Sequence, residues 1–182
     1  MNVLCYGDSN TYGYDPRSFL GDRYPATNRW VDILATRTNW NITNDGLNGR
    51  GVPAQEGSFN PNVDCLLIML GTNDLLQKRD IALVTERMRC FICEAKNAID
   101  QVVLIGVPTM RIGEWVTDEN IINLVCCLNE RYAEIATELD VSFVDTSKWD
   151  IDLAFDGVHF SQDGHVDFAD KLYEALIGGG IL

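Results

Sequence analysis

Histidine is scarce in this chain. Only His159 and His165 occur in 182 residues. Chemistry that needs an imidazole base must use one of these two, and no histidine cluster is available to build a zinc site. Basic residues are also few, with 14 Lys and Arg against 27 Asp and Glu and a formal net charge of −13. So acidic a chain is repelled by nucleic-acid phosphates and anionic membrane surfaces, which sets both aside as main partners. No apolar run approaches the ~18 residues of a membrane-spanning helix. The first residues lack the basic stretch, apolar stretch and cleavage site of a secretory signal. The expectation is a cytoplasmic protein, and cysteines placed without a disulfide framework agree with it. No repeat, low-complexity run or linker interrupts the sequence, so a single domain over residues 1–182 is expected.

The sequence does hold enough apolar material for a full core, at 46% hydrophobic and 23% charged residues. Six cysteines (Cys5, Cys65, Cys90, Cys93, Cys126, Cys127) lie mostly in apolar segments and read as small hydrophobes. Cys90 and Cys93 form a C-x-x-C pair inside a helical pattern, with nothing to complete a metal site. Residues 63–70 are an almost unbroken apolar run, the pattern of a strand covered on both faces in a parallel sheet. Residues 101–107 repeat it. Shorter strands are read at the N-terminus (Val3 to Tyr6), at 40–43 and at 141–144. Helical periodicity marks 29–38, with Trp30, Ile33 and Leu34 inward. It also marks the stretch containing Ile81, Val84, Met88, Phe91, Ile92 and Ala95, and 120–140 with Leu124, Leu128, Ile135 and Leu139 inward. A last helix is capped by Ser161 and stopped by Gly178-Gly179-Gly180. Residues 53–62 read as a loop. Strand and helix alternate about five times, which predicts α/β architecture with helices on both faces of a parallel sheet.

Candidate chemistry gathers where strands end. Gly7-Asp8-Ser9-Asn10 follows the first strand, and in such sheets ligands bind outside the carboxyl ends of the strands. A serine there is a weak nucleophile unless a base lies close in space. Asp156-Gly157-Val158-His159 supplies one: this spacing lets the carboxylate take the imidazole Nδ1 proton and fix its tautomer. Asn44-Asp45-Gly46-Leu47-Asn48-Gly49 offers a glycine-rich turn whose backbone N–H groups can approach a ligand. Gly71-Thr72-Asn73-Asp74 offers an amide donor for a developing oxyanion in Asn73, and Asp74 as a helix cap. The loop after Ser9 brings Tyr12 and Tyr14 to the rim. Trp115, Trp149 and Phe155 are further candidates for an apolar wall, and His165 reads as surface or packing.

Taken together, the four blocks at 7–9, 49, 71–74 and 156–159 resemble the signature blocks of the SGNH hydrolases, the GDSL esterase/lipase family. The look is closest to the bacterial arylesterase and acyltransferase branch. The resemblance implies a three-layer α/β/α sandwich with a five-stranded parallel, flavodoxin-like sheet. It implies Ser9 as nucleophile, His159 as general base then acid, and Asp156 as its orienting partner. It implies an oxyanion hole from the Ser9 amide, the Gly49 amide and the Asn73 side chain, with Gly46 as the rival glycine. Asp8, Asn10, Tyr12, Tyr14, Asn48 and Val158 are the residues expected around the substrate. Asp8 and Asp74 are expected to hold the loops. No cofactor and no metal is called for. The activity implied is hydrolysis of a short acyl ester of a small alcohol or sugar, or transfer of the acyl group to an acceptor alcohol. A non-catalytic ligand-binding α/β domain is the third reading. The segment from Leu75 to Arg89 is shorter than the branch often carries, which implies an open site and leaves a homo-oligomer open.

Overall fold

At the centre of the molecule is the strand Cys65–Met69, all five of whose residues are buried. Its side chains alternate between two cores, as the pleat requires. Leu66 and Ile68 pack into one; Cys65, Leu67 and Met69 pack into the other. A sequence of alternating polarity would not permit this, and the continuous apolar run does. The computed structural model describes residues 1–18, 20–54, 59–60 and 62–182. Part of the expected 53–62 loop, at 55–58 and 61, therefore lies outside the described residues.

The elements follow in the order β1 (Asn2–Gly7), α1 (Ser9–Tyr12), α2 (Trp30–Thr38), β2 (Asn41–Gly46), β3 (Cys65–Met69), α3 (Thr72–Leu76), α4 (Ile81–Lys96), β4 (Gln101–Ile105), α5 (Glu119–Glu138), β5 (Ser142–Val144) and α6 (Gln162–Tyr173). The five strands form one parallel sheet in the order β2-β1-β3-β4-β5. One face carries α4 and α5, through Met88, Phe91, Ile92, Leu128 and Tyr132. The other carries α2 and α6, through Trp30, Leu34, Phe168 and Leu172. This is the three-layer α/β/α sandwich. The chain runs from β1 outward to β2 and then back past β1 to β3. The reversal leaves a crevice between the carboxyl ends of β1 and β3, the place where open sheets of this order bind ligands.

Several details differ from the sequence pattern. The second strand runs on to Gly46, because Cys5, Tyr6 and Gly7 of β1 pair with Asn44, Asp45 and Gly46. The turn-like composition of that stretch yields to ladder hydrogen bonds. In α2 the inward residues are Trp30, Val31 and Leu34, with Ile33 only partly buried. Leu124 of α5 and Leu139, which ends it, are partly buried, while Asn129 and Tyr132 are fully inside. Only Cys5 and Cys65 are buried cysteines, and the four on α4 and α5 are exposed. Asp74 caps no helix; Asp80 caps α4, accepting from the Leu83 amide.

Candidate active site

Ser9 is placed by a tight turn at the end of β1. Asp8 caps that turn, its side chain accepting from the Asn10 amide at 3.0 Å. Gly13, in the left-handed region at φ 85°, closes the turn by donating its amide to the Ser9 carbonyl. As the first residue of α1, Ser9 has a backbone N–H with no intrahelical acceptor, since the first amides of any helix lack one. Its hydroxyl lies 2.9 Å from His159 Nε2.

The loop bearing His159 is organised by Asp156. One Asp156 oxygen accepts both the Val158 and His159 backbone amides at 2.9 Å, and the other faces His159 Nδ1 at 2.7 Å. A proton held on Nδ1 leaves Nε2 as an acceptor for the serine hydroxyl. Burial works to raise the Asp156 carboxyl, but hydrogen bonds from the imidazole and the two amides outweigh it and hold it below the usual carboxylate range. Asp156 is thus kept ionised beside an imidazole that must become positive if it takes the serine proton. Asp156 and His159 are 1% and 2% exposed, so this pair operates out of bulk water.

The two other strand ends converge on the same place. Asn73, at the start of α3, donates one side-chain N–H to the Arg50 carbonyl at 3.0 Å. That fixes the amide plane and leaves the second N–H to donate elsewhere. Arg50 is itself pinned. Its guanidinium donates to the Gly7 and Asp45 carbonyls and lies 4.1 Å over the Tyr6 ring. Between β2 and Arg50, Gly49 has φ 77°, a conformation that suits glycine, and no acceptor among the described residues takes its amide. The rival Gly46 has its amide taken by the Asn44 side chain at 2.9 Å. Asp74, wholly buried, accepts from the Val52 amide at 2.9 Å and from Arg79 at 2.6 Å, tying the glycine loop to α3.

Two aromatic rings flank the imidazole, Tyr14 at 4.8 Å and Trp115 at 5.1 Å between centroids. Trp115 donates its amide to the Asp156 carbonyl, which seats it over the His159 loop, yet its side chain stays about half exposed. Of the other residues expected at the substrate, Tyr12 sits under Arg23, 4.4 Å from its guanidinium. Asn48 is exposed in the turn before Gly49. Asp8, Asn10 and Val158 are buried. Burial pushes the Asp8 carboxyl up to about 6, against the Asn10 amide, the Thr72 hydroxyl and His159, which favour its charged form. Trp149 packs on Phe168 in the core, and Phe155 is exposed on the loop that carries Asp156 and His159. His165 is wholly buried against Tyr24 and Phe160. Arg50 carried no signal of its own in the sequence, because its partners are the ends of two different strands. Among the described residues no cluster of three or more His, Cys, Asp or Glu side chains is arranged to hold a metal ion.

Comparison with known proteins bears on the family and the fold. Residues 5–166 match the model of the GDSL-like Lipase/Acylhydrolase family. No curated protein matches the chain at a significant level. Among solved structures, the aryl esterase of M. smegmatis is 21% identical with a TM-score of 0.81, covering 97% of this chain and 98% of its own. Est24, a carbohydrate acetylesterase from Sinorhizobium meliloti, is 21% identical with a TM-score of 0.79 over the same shares. A member of the lipolytic protein G-D-S-L family from Veillonella parvula DSM 2008 is 25% identical with a TM-score of 0.76, again over 97% and 98%.

Proposed function

The chain belongs to the GDSL-like lipase/acylhydrolase family, and from that premise we propose that it is a serine esterase for short-chain, acetyl-type esters of ring-bearing alcohols, including carbohydrates. The observation that carries the reading is the unbroken chain from Ser9 Oγ through His159 to Asp156, at 2.9 and 2.7 Å. Ser9 attacks the ester carbonyl as His159 Nε2 takes its proton, and ionised Asp156 faces the imidazolium. The Ser9 and Gly49 amides and the free N–H of Asn73 receive the oxyanion. The carbon–oxygen bond to the alcohol then breaks, and His159 returns the proton to the departing oxygen. The acyl-enzyme is cleared by water, activated by His159 in the same way.

The substrate class rests on the rim. Ser9 is 5% exposed, which favours a small acyl group at its hydroxyl. The half-exposed Trp115 ring beside the imidazole offers a face for stacking an aryl or pyranose alcohol. The same shielding of Ser9 and His159 from water favours a second reading, in which an added alcohol intercepts the acyl-enzyme; product analysis with alcohol present separates transfer from hydrolysis.

The test is turnover of p-nitrophenyl acetate, butyrate and octanoate by the protein and by its Ser9→Ala variant. Rates that fall with chain length and vanish in the variant are expected. Turnover that survives Ser9→Ala overturns the assignment.

A further inference from the structure

Asn10 lies next to the nucleophile, but at 2% exposure it is closed off from any substrate. Its side chain is instead committed to the other end of the sequence. Oδ1 accepts the Phe160 amide at 2.9 Å, and Nδ2 donates to the Val158 carbonyl at 3.2 Å. These two backbone groups flank His159. Resting on the esterase reading above, we infer that Asn10 is a positioning residue for the reaction: its amide clasps the backbone on both sides of His159 and sets the distance from base to nucleophile.

The geometry explains why an amide stands here. The Val158 carbonyl and the Phe160 amide, on either side of His159, both face the Asn10 side chain. An Asn side chain carries one acceptor and one donor group and can satisfy both at once. Asp156 cannot substitute for it. Its bonds to the Val158 and His159 amides and to the imidazole lie inside one loop. They fix His159 to Asp156 and make no tie to the turn that carries Ser9. Asn10 supplies the cross-tie, and its own backbone is held at both ends. Its amide donates to Asp8, and its carbonyl accepts from Trp30 Nε1 at 2.9 Å, with Trp30 buried in the core. The clasp therefore refers the base to the same turn that carries the nucleophile.

Asn10→Ala removes both bonds, and Asn10→Asp keeps the acceptor for Phe160 but turns an oxygen toward the Val158 carbonyl and adds a charge near His159. A matched control is Asn129→Ala. Asn129 is a buried amide on α5 that brackets the Val107 amide and carbonyl in the same manner, at 2.7 and 2.9 Å. The experiment measures kcat and KM for p-nitrophenyl acetate, the rate of Ser9 labelling by a fluorophosphonate, and the pH profile, below the melting temperature of every variant. Expected for Asn10→Ala is a loss of kcat on the order of 10²-fold, since a shift of about 1 Å at a reacting pair has effects of this size. KM should stay within about threefold and labelling should slow in parallel. Asn10→Asp should move the acid limb of the profile to higher pH. Asn129→Ala should lose stability and keep kcat within about threefold. The inference is overturned if folded Asn10→Ala loses no more kcat than Asn129→Ala. If Asn10→Ala does not fold, Asn10→Asp decides, and a profile that superimposes on the parent's overturns it. A parent protein that neither turns over ester nor reacts with the phosphonate overturns the esterase reading instead, and this inference falls with it.

Discussion

The two histidines lie six residues apart in sequence, and both are buried, at 2% and 0% exposure. They differ in what their nitrogens meet. His159 has Asp156 on one nitrogen and Ser9 on the other. His165 has no hydrogen-bond partner on either among the described residues and is surrounded by the rings of Tyr24 and Phe160. Burial alone therefore marks neither as functional. The partners separate them: one imidazole lies between a carboxylate and a hydroxyl, and the other is kept neutral as part of the core. Burial, with lesser contributions from His159 and Arg29, pushes His165 down to about 3.

The comparison is broken most severely at His159. His159→Ala should lower kcat on the order of 10⁶-fold, since the members of such a triad act as a unit. The variant should remain folded, because the Asp156 clasp of the loop amides does not need the imidazole. Loss of kcat by less than about tenfold, read from p-nitrophenyl acetate turnover, would leave His159 no more important than His165. Asn73→Ala should have a smaller effect, about 10²–10³-fold in kcat, the usual size for one oxyanion donor. Its KM should change little. An unchanged kcat would mean that the Asn73 amide serves only to hold Arg50.

The sequence distinguished the two histidines through spacing. Asp156 three residues before His159 is a local signal, and the structure places the pair in the tight turn that this spacing implies. The Ser9 turn was legible for the same reason, as was β3, whose apolar run is unbroken. Other features depend on contacts far apart in the chain. The clasp by Asn10 reaches across almost the whole sequence, and Arg50 joins the ends of β1 and β2. Neither residue type nor local pattern announces such a partner. The same holds for Asn44 to Gly46, which look like a turn until β1 is laid beside them. The sequence marks His165 only as surface or packing, because a histidine at an inward helical position carries no mark of how deep it lies.

His165 sharpens the comparison at the opposite end of the scale. His165→Leu keeps a similar volume and removes two nitrogens that have no partner among the described residues, so it should leave kcat unchanged and stabilise the fold by about 1 kcal/mol at neutral pH. The pH dependence follows from linkage. In the folded protein His165 stays neutral until about pH 3, while in the unfolded chain an imidazole takes up its proton near ~6.5. Between those values the unfolded state binds more protons, so the folded state loses stability as pH falls through that window. Asp8 acts in the opposite sense. Its folded value near 6 means that the native state holds the extra proton between about 4 and 6, and stability falls there as pH rises. The two slopes oppose each other between about pH 4 and 6, which masks both in the parent protein. Denaturant midpoints of parent and His165→Leu, compared at pH 7, 6, 5 and 4.5, separate them. The advantage of the variant should widen by about 1 kcal/mol per pH unit below pH 6. A difference that stays constant with pH would mean that His165 finds a proton-sharing partner inside the fold, and the two histidines would then be more alike than their surroundings imply.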